Sequence, residues 1–414
     1  MKYVMMSLAV MLVLISLNTL REYLSGKVYD EASLQKAIEQ ANTNINVNRI
    51  VFKRNSEIHL VAPVIYNGIQ SLTIVGSGSS VDGSAAGSFL LDDDMTAVTE
   101  DGALVFNTAA DITIHNLTID NSATRGVVIN IPEDAEGDDI QISLDRVNIL
   151  NSALYGLHID DNTDEFDDGL VGSVIGIKLN ISHSNFIGNG TGAIDFDGIR
   201  VDERGKGDID SFIIKTHIDA NGGDGIELDE AGSGDVDSIM IDVTLNNNGF
   251  YNEEDLDDGF DIDEADDGDI DATLINVIAS GNLDEGLDFD ETGDGDIGLN
   301  IHTAKINNSA DEAIKVDEEG EGNINICLIM VEAKNSGDDG IQFTELGEGK
   351  IKGQLLEITS KNNAKYGFKV GQWNEEGEVF SVEEAGQLNV KKVALSGNGE
   401  GDQIEANNVV VKES

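Results

Sequence analysis

The chain has 414 residues, of which 79 are Asp or Glu and 25 are Lys or Arg, so its formal net charge at pH 7 is −54. A surface this acidic repels nucleic acid and anionic membranes, and both are excluded as partners. The single cysteine, Cys327, excludes a disulfide framework.

The N-terminal segment has the pattern of an export signal. Met1–Leu17 reads MKYVMMSLAVMLVLISL, one lysine followed by an apolar run that is short for a membrane span. Residues 1–25 are therefore predicted to be a signal peptide, with an uncleaved N-terminal anchor as the alternative. Residues 26–412 are predicted to form a single domain, secreted or at the cell surface, in an extracellular or periplasmic location.

A short amphipathic segment follows. Residues 30–42 read DEASLQKAIEQAN and predict a helix, with Asp30 as its N-cap. Leu34, Ala37, Ile38 and Ala41 fall on one face of that helix. Because the rest of the sequence has β patterning, this lone helix is predicted to cap the open end of the core.

Residues 198–370 form regular acidic repeats with a period of 27 residues. The spacing between equivalent anchor positions is 27 except for one spacing of 34, which contains an insertion near Gly249–Asp255. A fixed period of this length indicates a solenoid, a propeller or an array. The anchors are Gly198, Gly225, Gly259, Gly286, Ala313, Gly340 and Gly367.

Apolar residues alternate with polar ones just after each anchor, and no helical period occurs inside the repeat. Such alternation is typical of a strand with one buried face, so each repeat is predicted to form one coil of a parallel β-helix. The predicted core columns include Ile226, Leu228, Leu287, Phe289, Ile314, Val316, Ile341 and Phe343. Asparagines before the anchor are predicted to stack in a turn, namely Asn221, Asn246 or Asn247, Asn282, Asn308, Asn335 and Asn362.

The segments SLQKAIEQAN, RIVF, SLTIVGSGSSVDG and ITIHNLTIDNS, and later INNSADEAIKV and AKNSGDDGIQF, resemble the right-handed parallel β-helix proteins of the pectate-lyase-like superfamily. The resemblance covers residues 28–412. It implies an all-β fold: a right-handed parallel β-helix solenoid of 27-residue coils, roughly ten to twelve of them, with an N-terminal capping helix. The superfamily includes polysaccharide lyases, hydrolases, esterases, epimerases and non-catalytic surface proteins, so the resemblance does not by itself select an activity.

Acidic residues recur at fixed positions of the repeat, one residue before the anchor and four, five and ten residues after it. Stacked carboxylates lie about 4.8 Å apart and repel one another by roughly 1 kcal/mol in water and about 3 kcal/mol near a protein surface. Calcium, which prefers oxygen ligands, would bridge them, and a solvated acidic face is the alternative. The predicted metal ligands are Asp202, Asp229, Asp263, Asp290, Asp317, Glu230, Glu264 and Glu291.

The column two residues after the anchor is predicted to point outward. It contains His158, Arg200, Glu227 and Lys315 among its members. In calcium-dependent polysaccharide lyases, which this arrangement resembles, acids hold the metal against a uronate and a basic residue removes the proton next to the carboxylate. The resemblance implies Arg200 or Lys215 as that base, with a ladder of surface salt bridges as the alternative.

The sequence therefore favours a secreted or surface β-helix protein, non-catalytic and monomeric, that binds divalent cations (calcium) and extracellular polysaccharide. The alternative is a calcium-dependent polysaccharide lyase acting on acidic glycans. The two hypotheses differ in whether basic and acidic groups gather at one place or only stack in regular columns.

Overall fold

The computed structural model describes residues 27–91, 97–99, 101–162, 171–251, 256–373 and 385–413. The predicted signal peptide or anchor, residues 1–25, lies outside them. Among the described residues, no helix is both long enough and apolar enough to cross a membrane.

One sheet, here called sheet A, receives one strand from each coil and has twelve strands. All of its pairings between described strands are parallel, and its length matches the predicted number of coils. The strands are Val64–Tyr66, Gly102–Asn107, Arg125–Asn130, Leu157–Asp160, Ile199–Glu203, Ile226–Gly232, Phe260–Asp266, Asp290–Gly293, Ile314–Glu318, Ile341–Leu346, Tyr366–Trp373 and Gly401–Asn407.

A second parallel sheet, sheet B, has nineteen strands and forms the remaining sides of the coil. A separate antiparallel pair joins Leu90–Leu91 to Ala97–Val98. The strands of sheet B are Arg49–Val51, Glu57–His59, Leu72–Asp82, Ile112–Asp120, Ile140–Leu150, Ile177–Ser182, Asn185–Ile187, Ile209–Ile214, His217–Asp219, Val236–Ile241, Thr244–Asn246, Ile270–Ser280, Ile297–Asn307, Ile324–Lys334, Lys352–Leu356, Thr359–Lys361, Gly386–Lys391, Ala394–Ser396 and Val409–Glu413.

Each coil turns its corners with residues in the left-handed region. The first corner lies within or between the strands of sheet B, as at Asn276, where φ is 57°, and Thr303, where φ is 64°. One coil of the chain therefore connects each parallel strand to the next strand of the same sheet. Such crossover connections are right-handed in nearly all proteins. The fold is the predicted right-handed parallel β-helix.

The predicted asparagine column is in fact two columns. Asn221 and Asn282 belong to a buried ladder, in which the side-chain amide of Asn221 donates to Oδ1 of Asn248 at 3.0 Å. Asn308 and Asn335 instead occupy the second left-handed corner, where Asn335 donates to Oδ1 of Asn308 at 3.1 Å. The sequence pattern merged them because the two columns are one residue apart.

The apolar columns fill the space between the sheets. Every predicted core residue is fully buried, and Ile226, Phe260 and Leu287 belong to the same continuous core. Neighbouring coils are in exact register, for example Ile226 opposite Phe260 and Leu228 opposite Ile262. This register places like residues of successive coils directly over one another.

The predicted capping helix, α1, runs from Glu31 to Thr43. Its N-cap is Asp30, which accepts a hydrogen bond from the Ser33 amide at 2.9 Å, while Ser33 Oγ accepts one from the Asp30 amide at 3.1 Å. The buried face is the predicted one, Leu34, Ala37, Ile38 and Ala41, and it belongs to the main core. The helix therefore shields the first coils from water.

Phe289→Ala tests the stacking of the core. Phe289 is fully buried and packs edge-to-face on Phe260 at 5.7 Å between ring centres, so its removal should leave a cavity and lower the free energy of unfolding by about 3–5 kcal/mol. Phe212→Ala is the matched control, because Phe212 is 39% exposed on the outer face of sheet B. Denaturant titration measures both; equal losses for the two variants would contradict the assigned core.

Candidate metal centre

Two arginines neutralise the first members of the predicted metal column. Nε of Arg200 donates to Oδ1 of Asp202 at 2.7 Å, and Nη2 of Arg200 donates to Oδ2 of Asp229 at 2.9 Å. Arg204 donates to the other oxygen of Asp229 at 2.6 Å. Arg200 also contacts Glu227. At Asp202 and Asp229 the guanidinium groups therefore stand where a calcium ion was predicted.

The same network extends to a buried histidine. Nη1 of Arg125 donates to Nδ1 of His158 at 2.9 Å, so the His158 proton lies on Nε2, which donates to Asp202 at 2.9 Å. Burial lowers the pKa of His158 despite the adjacent Asp202 carboxylate. With both ring nitrogens engaged, His158 has no lone pair available to accept a proton from a ligand.

The two candidate bases lie in different surroundings. Burial favours the neutral form of Arg200, but the carboxylates of Asp202 and Glu227 outweigh it and hold the pKa of Arg200 well above its usual value. Lys215 is exposed at a corner between Ile209–Ile214 and His217–Asp219 of sheet B. Arg200 lies on the other sheet, in the strand Ile199–Glu203 of sheet A. The spacing of the repeat alone does not show which residues of different sheets are close together.

Two members of this network were not found from the sequence. Arg125 comes directly before Gly126, which occupies the anchor position of an earlier coil. Later coils have an acid at the position of Arg125, so this change from negative to positive charge could have identified Arg125 from the sequence. Arg204 follows Glu203 at a position where no other basic residue recurs in the repeat, so the repeat gave no indication of it. Together they make the first acid coils a dry ion-pair network, since Arg200 is 8% and Asp202 2% exposed.

The predicted ligands Glu230, Glu264 and Glu291 point inward and serve another purpose. Glu264 Oε1 accepts a hydrogen bond from the Gly268 amide at 3.0 Å, and Glu291 Oε1 accepts one from Gly295 at 3.1 Å. Each glutamate thus closes the turn that leaves sheet A. The glycine is required for space, because a Cβ on Gly295 would lie 1.6 Å from the carbonyl oxygen of Gly268 in the preceding coil.

The glutamates of this column, here called the glutamate ladder, are held toward their protonated form by burial. The ladder consists of Glu203, Glu230, Glu264, Glu291, Glu318 and Glu345. Oε2 of Glu264 and Oε2 of Glu291 are shielded from solvent and have no hydrogen-bond partner within the described chain, so protonation lowers the cost of burying these carboxyl groups. Burial raises the pKa of Glu264 to about 8 and that of Glu318 to about 7. The ladder is therefore stabilised by protons.

In two further acid columns, one carboxylate oxygen accepts a hydrogen bond from the backbone of the next coil. One residue before the anchor, the Asp224 amide donates to Oδ1 of Asp197 at 2.7 Å. Ten residues after it, the Asp269 amide donates to Oδ1 of Asp235 at 3.0 Å. These carboxylates accept amide hydrogens that point along the solenoid axis, which explains why Asp recurs there.

Three acids in the coil of Gly259, Asp258, Asp261 and Asp263, have no basic partner among the described residues. In the coil before it Arg200 contacts Glu227, and in the coil after it Lys315 donates to Asp288 at 2.7 Å. Between them, no ion pair within the described chain reaches Asp258, Asp261 or Asp263. Among the predicted ligands four residues after the anchor, Asp229 is paired with Arg200 and Asp290 with Lys315. Asp317 lies 4.0 Å from Lys315. Asp263, at the centre of this column, has no ion pair among the described residues.

Oxygen atoms converge at this coil in a way that fits a cation. One oxygen each of Asp258, Asp261 and Asp288 lie within 4.8 Å of one another, and the same holds for Asp224, Glu227 and Asp261. Oδ1 of Asp261 is shielded from solvent and has no hydrogen-bond partner within the described chain. Burial and the neighbouring carboxylates raise the pKa of Asp261 well above its usual value. Calcium accepts such a set of hard oxygen donors.

Glu318→Gln tests the glutamate ladder. The pKa of Glu318 is raised from 4.5 to about 7 in the folded protein, so the folded state holds more protons than the unfolded state in that window. The free energy of unfolding should therefore fall as pH rises from about 5 to 8, by roughly 1–3 kcal/mol for this group. Gln cannot titrate, so the variant should show a smaller fall, measured by denaturant titration at several pH values.

The matched control is Glu319→Gln, at the adjacent exposed position. It keeps the Glu318 carboxyl group and removes only a neighbouring charge that makes a minor contribution to the raised pKa of Glu318, so it should keep most of the wild-type pH dependence. Identical pH profiles for all three proteins would contradict the raised pKa of Glu318.

No protein-family model and no curated protein sequence matches this chain. Solved structures do. A point mutant of the periplasmic alginate epimerase AlgG has 13% sequence identity and a TM-score of 0.50, covering 87% of this chain and 77% of that one.

Two more solved structures have the same kind of fold at lower similarity. The A-module of mannuronan C-5 epimerase AlgE6 from Azotobacter vinelandii has 13% identity and a TM-score of 0.31, covering 94% and 97% of the two chains. PfbA, a surface adhesin of Streptococcus pneumoniae, has 12% identity and a TM-score of 0.32, covering 94% and 90%. The parallel sheets and the AlgG comparison agree on the fold: the chain is a right-handed parallel β-helix protein.

Proposed function

We propose that this is an exported β-helix protein that binds calcium between its coils, at the coil of Gly259, and associates with acidic polysaccharide through the bound ion. The observation that carries the proposal is the position of Asp258 and Asp261. They lie between a coil neutralised by Arg200 and a coil neutralised by Lys315, and they have no basic partner of their own in the described chain.

The protein's own cations support the choice of ligand. Arg200 and Lys315 each contact carboxylates of two successive coils, so on this face one positive charge serves about two coils. At the Gly259 coil the chain supplies none among its described residues. Asp258 and Asp261, with Asp224 on one side and Asp288 on the other, would hold the ion, which supplies the missing positive charge.

Association with polysaccharide follows from charge and from the fold. In a chain of net charge −54, the acid columns of sheet A repel a polymer of uronates unless a divalent cation links the two sets of carboxylates. The AlgG structure to which the chain is similar is named an alginate epimerase, and it is periplasmic. We extend to this chain only the association with such a glycan and a location outside the cytoplasm, extracellular or periplasmic.

A binding role fits the site better than the lyase alternative. A catalytic base needs an atom with a free lone pair that can reach the substrate proton. The Arg200 guanidinium is bonded to Asp202, Glu227 and Asp229, and both ring nitrogens of His158 are engaged. The arrangement therefore favours a non-catalytic protein in which these groups hold the coils together.

Calcium should stabilise the protein beyond the effect of ionic strength. An ion that binds only the folded state adds about 2.7 kcal/mol at a hundredfold excess over its dissociation constant. Melting temperatures are compared in millimolar calcium and in sodium chloride at matched ionic strength. Sodium screens all acids alike, whereas calcium needs the converging oxygens.

The double variant Asp258→Asn with Asp261→Asn should lose the calcium-specific rise and keep the sodium effect. The matched control is Asp266→Asn with Asp267→Asn, which removes two exposed charges from the same coil. Equal melting curves in calcium and sodium for the wild type would show that the acids form only a solvated face.

Arg200→Gln tests whether a guanidinium and a calcium ion are equivalent on this face. Without calcium the variant should lose roughly 3–5 kcal/mol of stability, because Asp202 and Glu227 become buried charges without a partner. Calcium should then restore more stability to the variant than it adds to the wild type, because the carboxylates that Arg200 contacted become available as a second set of ligands. Equal calcium increments in thermal melts would contradict the equivalence.

A further inference from the structure

The outer face of sheet B carries a long shallow groove that is separate from the acid columns of sheet A. Two adjoining depressions of about 770 and 580 Å³ are both lined by Asp271 and Asn300, so they form one groove along the solenoid axis. Gln141 lines one end and Asn389 the other. A ligand that fills this groove must be long and narrow.

The C-terminal half of the groove is lined by two rows of side chains in register. One row runs through Asn325, Lys352 and Gln387, which are paired across successive strands. The other runs through Asn300, Cys327, Gln354 and Asn389. The result is a repeating set of amide donors and acceptors at the strand spacing, about 4.8 Å from one coil to the next.

The charge of this half differs in sign from that of the solenoid. Its lining contains Lys350 and Lys352 against Asp271 alone, in a chain whose net charge is −54. Lys352 is exposed, and its ammonium group donates to Oδ1 of Asn323 at 3.1 Å, which leaves further donor capacity on a group with three hydrogens. The net charge of this lining is therefore suited to an anionic ligand without a metal ion.

We propose that this groove binds a linear polysaccharide that carries carboxylate groups, with the amides bonding its hydroxyl groups and Lys350 and Lys352 its carboxylates. The proposal goes beyond the calcium centre, since it concerns the other sheet and needs no cation. Repeating amides match a ligand that repeats hydroxyl groups along its length. The negative carboxylates of the polysaccharide complement the positive charge of the two lysines.

Two other linear polymers fit the groove less well. Single-stranded nucleic acid stacks its bases on aromatic side chains, and the described lining of this half contains no aromatic residue. An extended peptide adds to a sheet through a free strand edge, whereas the groove lies on the face of strands that are already paired on both sides, as Lys352–Leu356 is. The chemistry that remains is that of a polyhydroxylated acid polymer.

Titration calorimetry of the whole protein with alginate oligosaccharides in EDTA tests the proposal. The wild type should bind, and Lys352→Glu with Gln354→Glu should weaken binding at least tenfold. Both residues are exposed, so the fold should persist, as checked by circular dichroism. The matched control is Lys361→Glu with Asn362→Asp, which makes the same change in net charge at a corner outside the groove and should change binding less than twofold.

Absence of binding in EDTA would overturn the proposal, and so would equal weakening by both double variants, since that would indicate general charge repulsion. Dextran, a neutral glucan, should bind more weakly than the oligosaccharides; equal binding would overturn the role of the lysines. The experiment is independent of the calcium centre, because a failed calcium effect on melting leaves the EDTA result unchanged.

Discussion

The exact register of the coils is the constraint on which the rest of the structure depends. A solenoid with a fixed period places the same residue of each repeat about 4.8 Å above the last one. For apolar side chains this stacking is favourable, and Phe260 over Phe289 is one instance. For carboxylates it is unfavourable by roughly 1–3 kcal/mol per neighbouring pair, so an acidic solenoid must relieve the repulsion in each column separately.

The columns relieve it in different ways according to where they face. Asp197 and Asp235, at the corners, accept amide hydrogens of the next coil, which is a neutral and fixed partner. Glu264, inside the wall, has its pKa raised to about 8 by burial, which favours its uncharged form at neutral pH. On the outer face of sheet A the chain uses its own cations, Arg200 and Lys315. The same residue type therefore has three physical roles that differ in their response to pH and to ions.

The fold could be predicted from the sequence because it follows from the period itself. Ile226, Leu228 and Phe289 are buried as predicted, since alternation within a strand fixes which side chain points inward. Alternation also places Glu230 inward, four residues beyond Ile226, yet an acid in that position was read as a surface ligand. Its burial depends on the fold-back hydrogen bond to Gly234, which no pattern of charges reveals.

The candidate site was harder to predict because it depends on what breaks the repeat. Asp202 and Asp229 were correctly placed in one column, but Arg204, which neutralises Asp229, recurs nowhere else. The missing cation at Asp261 is likewise a departure from the neighbouring coils, and it falls just after the one spacing of 34 residues, between Gly225 and Gly259. A period identifies what every coil shares, whereas specific binding requires a coil that differs. In this chain the coil that differs in spacing is also the one whose buried carboxylate oxygen, on Asp261, has no partner among the described residues.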